Sequence, residues 1–195
     1  MPNRLDVDPS PALTERLFRA RTVLVFGEIT QTLAESVTRE LFALAADGSA
    51  PIRVVVNSPG GHVESGDTIH DVIRFIEPEV RILGTGWVAS AGALIFAAAE
   101  REQRWALPNT RFLLHEPSGG AHGPASDVEI EVKQVLAMRA RLNAIFARAT
   151  GQSLERVTRD TERNHWMSAE EAKSYGLVGR IVESSRELEA AFTAR

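Results

Sequence analysis

Three apolar, β-branched runs, TVLVFGEI (22–29), IRVVVN (52–57) and VRILGTG (80–86), are separated by segments whose apolar residues recur at helical spacing. Leu33, Val37, Leu41, Leu44 and Ala45 mark one face of a helix over 30–46, and 62–76 forms a second helix. Strands that are apolar nearly throughout, alternating with helices, imply an α/β architecture whose sheet is covered on both faces. A small-residue helix is expected over 90–100, directly after the third run.

The second half continues the alternation with different punctuation. RFLLHEP (111–117) has strand character, whereas PSGGAHGPA (117–125) is too rich in Gly and Pro for a helix. Ser126 and Glu129 stand at capping-box spacing, with Asp127 in the first turn, and open a long helix reaching about Ala149 before Gly151 ends it. A helix starting at Ser153 should stop near Asn164. Ser168 and Glu171 form a second capping box before AEEAKSYG, and LVGRIVES (177–184) suits an edge strand. ALTERLFRA (12–20) is a short helix. Residues 1–11 carry three prolines and little apolar content, so they are expected to be a flexible arm preceding a single domain over 12–195.

Composition narrows the function. A chain of 195 residues, 44% hydrophobic and 25% charged, is long enough to bury one sizeable core. The absence of Cys removes disulfides, metal thiolates and a cysteine nucleophile, and it fits a reducing compartment. A formal charge of −4 supplies no footprint for nucleic acid or an anionic membrane. The N-terminus has no continuous apolar signal core, and VASAGALIFAAA (88–99) is too short to span a bilayer. These features predict a soluble cytoplasmic protein.

Three positions carry candidate chemistry, each with a plain structural alternative. Ser90 opens the small-residue helix, where its hydroxyl is either an N-cap or a nucleophile beside unpaired helix N–H groups. Gly60 and Gly61 lie between a strand and a helix. They serve either a tight turn or a backbone N–H that points into a cleft as an oxyanion donor. His115 ends a strand-like run, as a structural residue or as a general base.

Taken together, NSPGG (57–61), WVASAGA (87–93), LPNTRFLLHEPSGG (107–120) and TGQSLERVTRDTERN (150–164) resemble the Clp protease proteolytic subunits. The resemblance implies a crotonase-like fold of repeated β-β-α/β-α units with a protruding handle, a strand plus a long helix, at about 118–150. It implies a serine endopeptidase with Ser90 as nucleophile, His115 as general base and Asn164 at the position of the triad acid. Gly61 and Ala91 would supply the oxyanion-hole N–H groups. Gly60, Ser118, Gly119 and Gly120 would bind substrate backbone, with no metal and no cofactor. Two stacked heptameric rings are implied, of this chain alone or with a paralogue, together with a AAA+ Clp unfoldase that delivers unfolded proteins and peptides.

The chain departs from that pattern in three places. Asn164 replaces an aspartate, which implies weaker catalysis; its other reading is a helix-end residue in left-handed geometry, and Asp160 one turn earlier is a substitute only if the helix end shifts. The N-terminal segment is short and polar, where family members that dock an unfoldase have a longer apolar one. Arg53-Val54-Val55-Val56 stands where docking tyrosines are common, leaving Phe75 and Leu83 as apolar contacts. Two other readings share these features: a catalytically poor ring subunit that supports a paralogous peptidase, and a crotonase-like acyl-CoA enzyme.

Overall fold

The computed structural model describes residues 10–120 and 122–188. Most of the expected arm therefore lies outside the described residues. Its last two positions belong to the first helix, because Ser10 caps the helix Pro11–Arg19 (α1) and Pro11 opens it.

Strands Thr22–Phe26 (β1), Ile52–Ser58 (β2) and Val80–Ala89 (β3) form parallel neighbours, as their uniform apolar sequences require. Gln31–Asp47 (α2) and Val63–Phe75 (α3) connect them. Arg104–Ala106 (β4) and Arg180–Ile181 (β7) extend the sheet in the order β1-β2-β3-β4-β7, with β7 at the expected edge. Strand Arg111–Leu114 (β5) pairs in parallel with the end of β3, and His165–Ser168 (β6) pairs antiparallel with β5. β4 and β6 have only 3 and 4 residues, too few for periodicity to reveal.

Among the described residues only one sheet face is fully covered. Val23, Val25, Val54, Val56 and Ile82 are all 0% exposed and join the core with α2, α3 and the helix Ala91–Phe96 (α4). On the opposite face a smaller cluster of Leu83, Trp105, Val182 and Leu188 covers part of β3 and β4, but Leu24 and Phe26 on β1 stay exposed. The expectation of two covered faces is thus corrected. Apolarity of a strand reports that a face will be covered, not that its own chain covers it.

β3 serves two partners because it bends. Ile82–Gly84 pair with β4, whereas Trp87–Ala89 pair with β5. Between Val56↔Gly84 and Ser58↔Val88 the register shifts, so Asn57 alone stands against Thr85, Gly86 and Trp87. Gly86 has φ +60, and a Cβ there would fall 2.9 Å from Asn57 Oδ1. The asparagine of NSPGG thus occupies the concavity of the bulge.

The long helix is Ala125–Thr150 (α5), ended by Gly151 in left-handed conformation. Its expected Ser126 cap is not formed. Pro124 is the N-cap and its carbonyl accepts from Asp127 and Val128, so Ser126 already lies inside the first turn. The C-terminal half docks through Leu142, Ile145 and Phe146, while Ile130, Val132 and Leu136 in the N-terminal half remain exposed. A Cβ on Gly119 would fall 2.9 Å from Val135, so the Gly-rich segment runs along this helix.

Helix Leu154–Thr161 (α6) ends three residues before Asn164, since β6 must begin at His165. Ser168 and Glu171 form the expected capping box on Ala169–Tyr175 (α7). Among the described residues no helix is long and apolar enough to cross a membrane.

Candidate active site

The motif residues follow the carboxyl ends of β2, β3 and β5, where open α/β sheets commonly place their sites. Ser90 follows β3 directly, with φ +54 and ψ −121, a conformation that non-glycine residues rarely adopt. Its N–H donates to the Leu113 carbonyl at 2.9 Å, and its own carbonyl accepts from Leu94 at 3.1 Å. The backbone is therefore pinned to β5 on one side and to α4 on the other. Ser90 stands at the N-cap position of α4, but its side chain makes no capping hydrogen bond, so the hydroxyl is not spent on the helix end.

Gly60 and Gly61 have φ +100 and +145, left-handed values that favour glycine. A Cβ on Gly60 would sit 2.5 Å from Ser90 Cβ and 3.1 Å from its Oγ, so the missing side chain is what allows this approach. Gly61 is clamped from the other side. The Ile29 N–H donates to the Gly60 carbonyl at 2.8 Å, and the His62 N–H donates to the Ile29 carbonyl at 2.8 Å. This is a parallel bridge between Ile29 and Gly61, in which Ile29 bonds to the residues before and after its partner. The N–H of Gly61 itself consequently points away from Ile29. Ala91 is the first residue of α4, and its N–H lies among those that a helix start leaves unpaired.

The antiparallel ladder of β5 and β6 ends at Leu114↔His165. His115 and Asn164 directly adjoin this last pair, His115 after β5 and Asn164 before β6. Beyond them the register shifts, because the Glu116 N–H donates to the Thr161 carbonyl at 2.8 Å, two residues from the position the ladder would give. His115 is half-buried, as is Ser90, and Asn164 is exposed. Asn164 is absent from the residues with positive φ, so its left-handed reading is excluded. No hydrogen bond joins the side chains of Ser90, His115 and Asn164 in this resting chain. Catalytic hydrogen bonds commonly tighten only with substrate bound.

Asp160 is committed elsewhere. The Tyr175 hydroxyl donates to Asp160 Oδ2 at 3.1 Å, and Arg156 and Arg159 lie 3.4 and 3.6 Å from its carboxylate. Burial, then the Asp160 charge, pushes the Tyr175 phenol well above its ordinary range. A carboxylate so engaged cannot replace Asn164 beside His115.

Ser118, Gly119 and Gly120 are exposed and belong to no strand, and their backbone groups take part in no backbone hydrogen bond among the described residues. They offer an unpaired edge next to His115. Sequence reasoning missed Ile29 and Asn57, which hold the glycine turn and the β3 bulge; nothing in their residue types announces those tasks. It also missed that His62, at the N-cap of α3, places Nδ1 2.8 Å from Ser65 Oγ and Nε2 3.2 Å from Glu64.

Comparison with known proteins places these features in one family. Residues 9–185 match the Clp protease family model. The chain is 59% identical over 172 residues to ATP-dependent Clp protease proteolytic subunit 3 of Rhizobium etli, covering 88% of this chain and 89% of that protein. It is 54% identical over 176 residues to proteolytic subunit 2 of Pseudomonas aeruginosa, covering 90% and 88%. Among solved structures, an Asn-to-Asp mutant of ClpP1 from Listeria monocytogenes matches with a TM-score of 0.85 and 50% identity, covering 90% of this chain and 99% of that one.

Proposed function

We propose, for a chain that belongs to the Clp protease family, that Ser90 is the nucleophile of a serine peptidase acting on unfolded proteins and peptides. The observation that carries the assignment is a serine hydroxyl that makes no capping bond, at φ +54, set against Gly60. His115 takes the Ser90 proton as the hydroxyl attacks the peptide carbonyl, then returns it to the leaving amine. The tetrahedral oxygen is held by the Gly61 and Ala91 N–H groups. Water repeats the sequence on the acyl-enzyme.

Asn164 orients the imidazole through its amide oxygen but brings no charge to the imidazolium, so turnover is slow. The unpaired edge at Ser118, Gly119 and Gly120, with Gly60 opposite, binds the substrate main chain as an added strand, which makes recognition broad in sequence. Family membership favours this reading over the acyl-CoA one. A second reading, a ring subunit of low activity beside a paralogous peptidase, rests specifically on Asn164.

Assembly into stacked heptameric rings gives the exposed Ile130, Val132 and Leu136 of α5 a partner, and it covers the open face at Leu24 and Phe26. For an unfoldase, Phe75 is the better apolar contact: it is 78% exposed and packs edge-on against Phe42 at 6.2 Å, whereas Leu83 is 9% exposed and belongs to the core. Residues 12–188 act as one domain with α5 as its handle.

Labelling by a fluorophosphonate tests the assignment. The assembled wild type takes up the probe, and Ser90→Ala takes up none while sedimenting as the same oligomer. Undiminished labelling of Ser90→Ala would overturn the nucleophile, and a monomer at all working concentrations would overturn the ring.

A further inference from the structure

At the opposite end of α4 from Ser90 lies a cleft of about 380 Å³, half open to solvent, between α3, the segment after α4 and the C-terminal end of α5. Arg104 forms part of its wall and is 1% exposed. One arm of this guanidinium is used: Nη2 donates to the carbonyls of Ala149 and Gly176, satisfying the ends of α5 and α7. The other arm is not. Nε and Nη1 are buried without a hydrogen-bond partner, and Arg104 makes no ion pair among the described residues. Burial, with the charge of Arg101 second, pulls its titration down to about 10.

A buried cation without a counter-charge is costly, and folded proteins normally pair such groups. The rest of the wall makes the deficit larger. Arg74, Arg101 and Arg148 also line the cleft, against the carboxylates Glu100 and Glu102. Four guanidinium groups against two carboxylates leave an excess of two positive charges. The carboxylates do little to quench it: Arg74 lies 3.9 Å from Glu100 and spends Nη1 on the Ala98 carbonyl, while Arg101 makes only a 3.4 Å bond to the Lys173 carbonyl. Arg148 is exposed in the last turn of α5 and makes no ion pair among the described residues. The carbonyl end of α5 opposes an anion here, but Arg104 already occupies the Ala149 carbonyl.

We propose that this cleft is a binding site for a phosphoryl-bearing anion, recognised by the guanidinium forks of Arg74, Arg101 and Arg148 over the buried charge of Arg104. Planar N–H forks match tetrahedral oxyanions better than they match monovalent halide, and the volume falls within the range of small-ligand sites. Free phosphate, pyrophosphate and the phosphoryl groups of a nucleotide share this chemistry.

The test uses the assembled full-length protein at constant ionic strength, with inorganic phosphate, pyrophosphate and ADP as separate probes and chloride as the control. Calorimetry and phosphorus NMR read binding, and the melting temperature reads the linked stabilisation. Phosphate and pyrophosphate are expected to bind and to raise the melting temperature where chloride does not. Arg148→Glu and Arg74→Gln, both at exposed positions, are expected to weaken binding at least about tenfold each while leaving the unliganded oligomer intact. Equal affinities for pyrophosphate and ADP identify the phosphoryl group itself as the ligand, and a markedly tighter ADP identifies a nucleotide; either supports the site. No binding of any probe up to about 50 mM, an equal effect of chloride, or unchanged affinity in both variants would overturn it.

Discussion

Replacing Asn164 by Asp adds one carboxylate next to the end of the β5–β6 ladder, where His115 adjoins the other strand. An opposite charge favours an ionised partner at about 4–6 Å, so the attraction to the imidazolium formed during attack is worked at about 5 Å. At an effective dielectric constant of about 20 their attraction is about 3.3 kcal/mol, worth about 270-fold in rate. In fully water-screened surroundings it is about 0.8 kcal/mol, or about fourfold. Asn164 is exposed and His115 half-buried in the chain alone, so the gain falls between these limits. The 10⁴-fold loss of the reverse change in trypsin, about 5.5 kcal/mol, is an outer bound. Asn164→Asp is therefore expected to raise cleavage of a short fluorogenic peptide by about fourfold to about 270-fold without altering oligomer size. Because the carboxylate favours the protonated imidazole, the acid limb of the kcat/KM profile also moves to higher pH. An equal or lower rate in correctly assembled Asn164→Asp rings would refute the electrostatic argument and show that the amide suits this site or that another element limits turnover.

Other perturbations separate the parts of the site. Gly61→Ala places a Cβ 2.4 Å from the Ile29 carbonyl oxygen at φ +145, so it should lower peptide cleavage by about 10²-fold or more, by displacing an oxyanion donor; retention of wild-type rate would remove Gly61 from the mechanism. Asp160→Asn should leave the pH profile of cleavage unchanged, because its carboxylate is held by Tyr175, Arg156 and Arg159; a shifted acid limb would reinstate it as the triad acid. Ser168→Ala removes the N-cap of α7 and should cost about 1 kcal/mol in denaturant unfolding. The Ser168 backbone N–H and hydroxyl hold the Glu171 carboxyl below its ordinary range. That contribution is present above the unfolded carboxylate value of about 4.3 and fades as pH falls through the folded value, so Ser168→Ala should flatten the acid decline in stability.

The sequence by itself determined what depends on local chemistry. Uniform apolar runs dictated parallel strands, the Ser168–Glu171 spacing dictated a helix start, and paired glycines at 60 and 61 announced a backbone that needs positive φ. Motif order also identified Ser90, His115 and Asn164 as one candidate set. What remained for the tertiary structure was everything set by distant chain segments. The Ser126 cap lost to Pro124 because the entering loop, not the box spacing, fixes where the first helical carbonyl lies. Ser90 heads α4 without a side-chain capping bond, its backbone tied to Leu113, twenty-three residues away in sequence. The ladder that ends beside His115 and Asn164 comes from four-residue strands with no periodicity to read, and Asp160 is left in the grip of Tyr175. The orphaned arm of Arg104 likewise exists only because α5 and α7 end at the same place. Residue type sets which chemistry a position can perform; only the packing of remote segments sets what that chemistry meets.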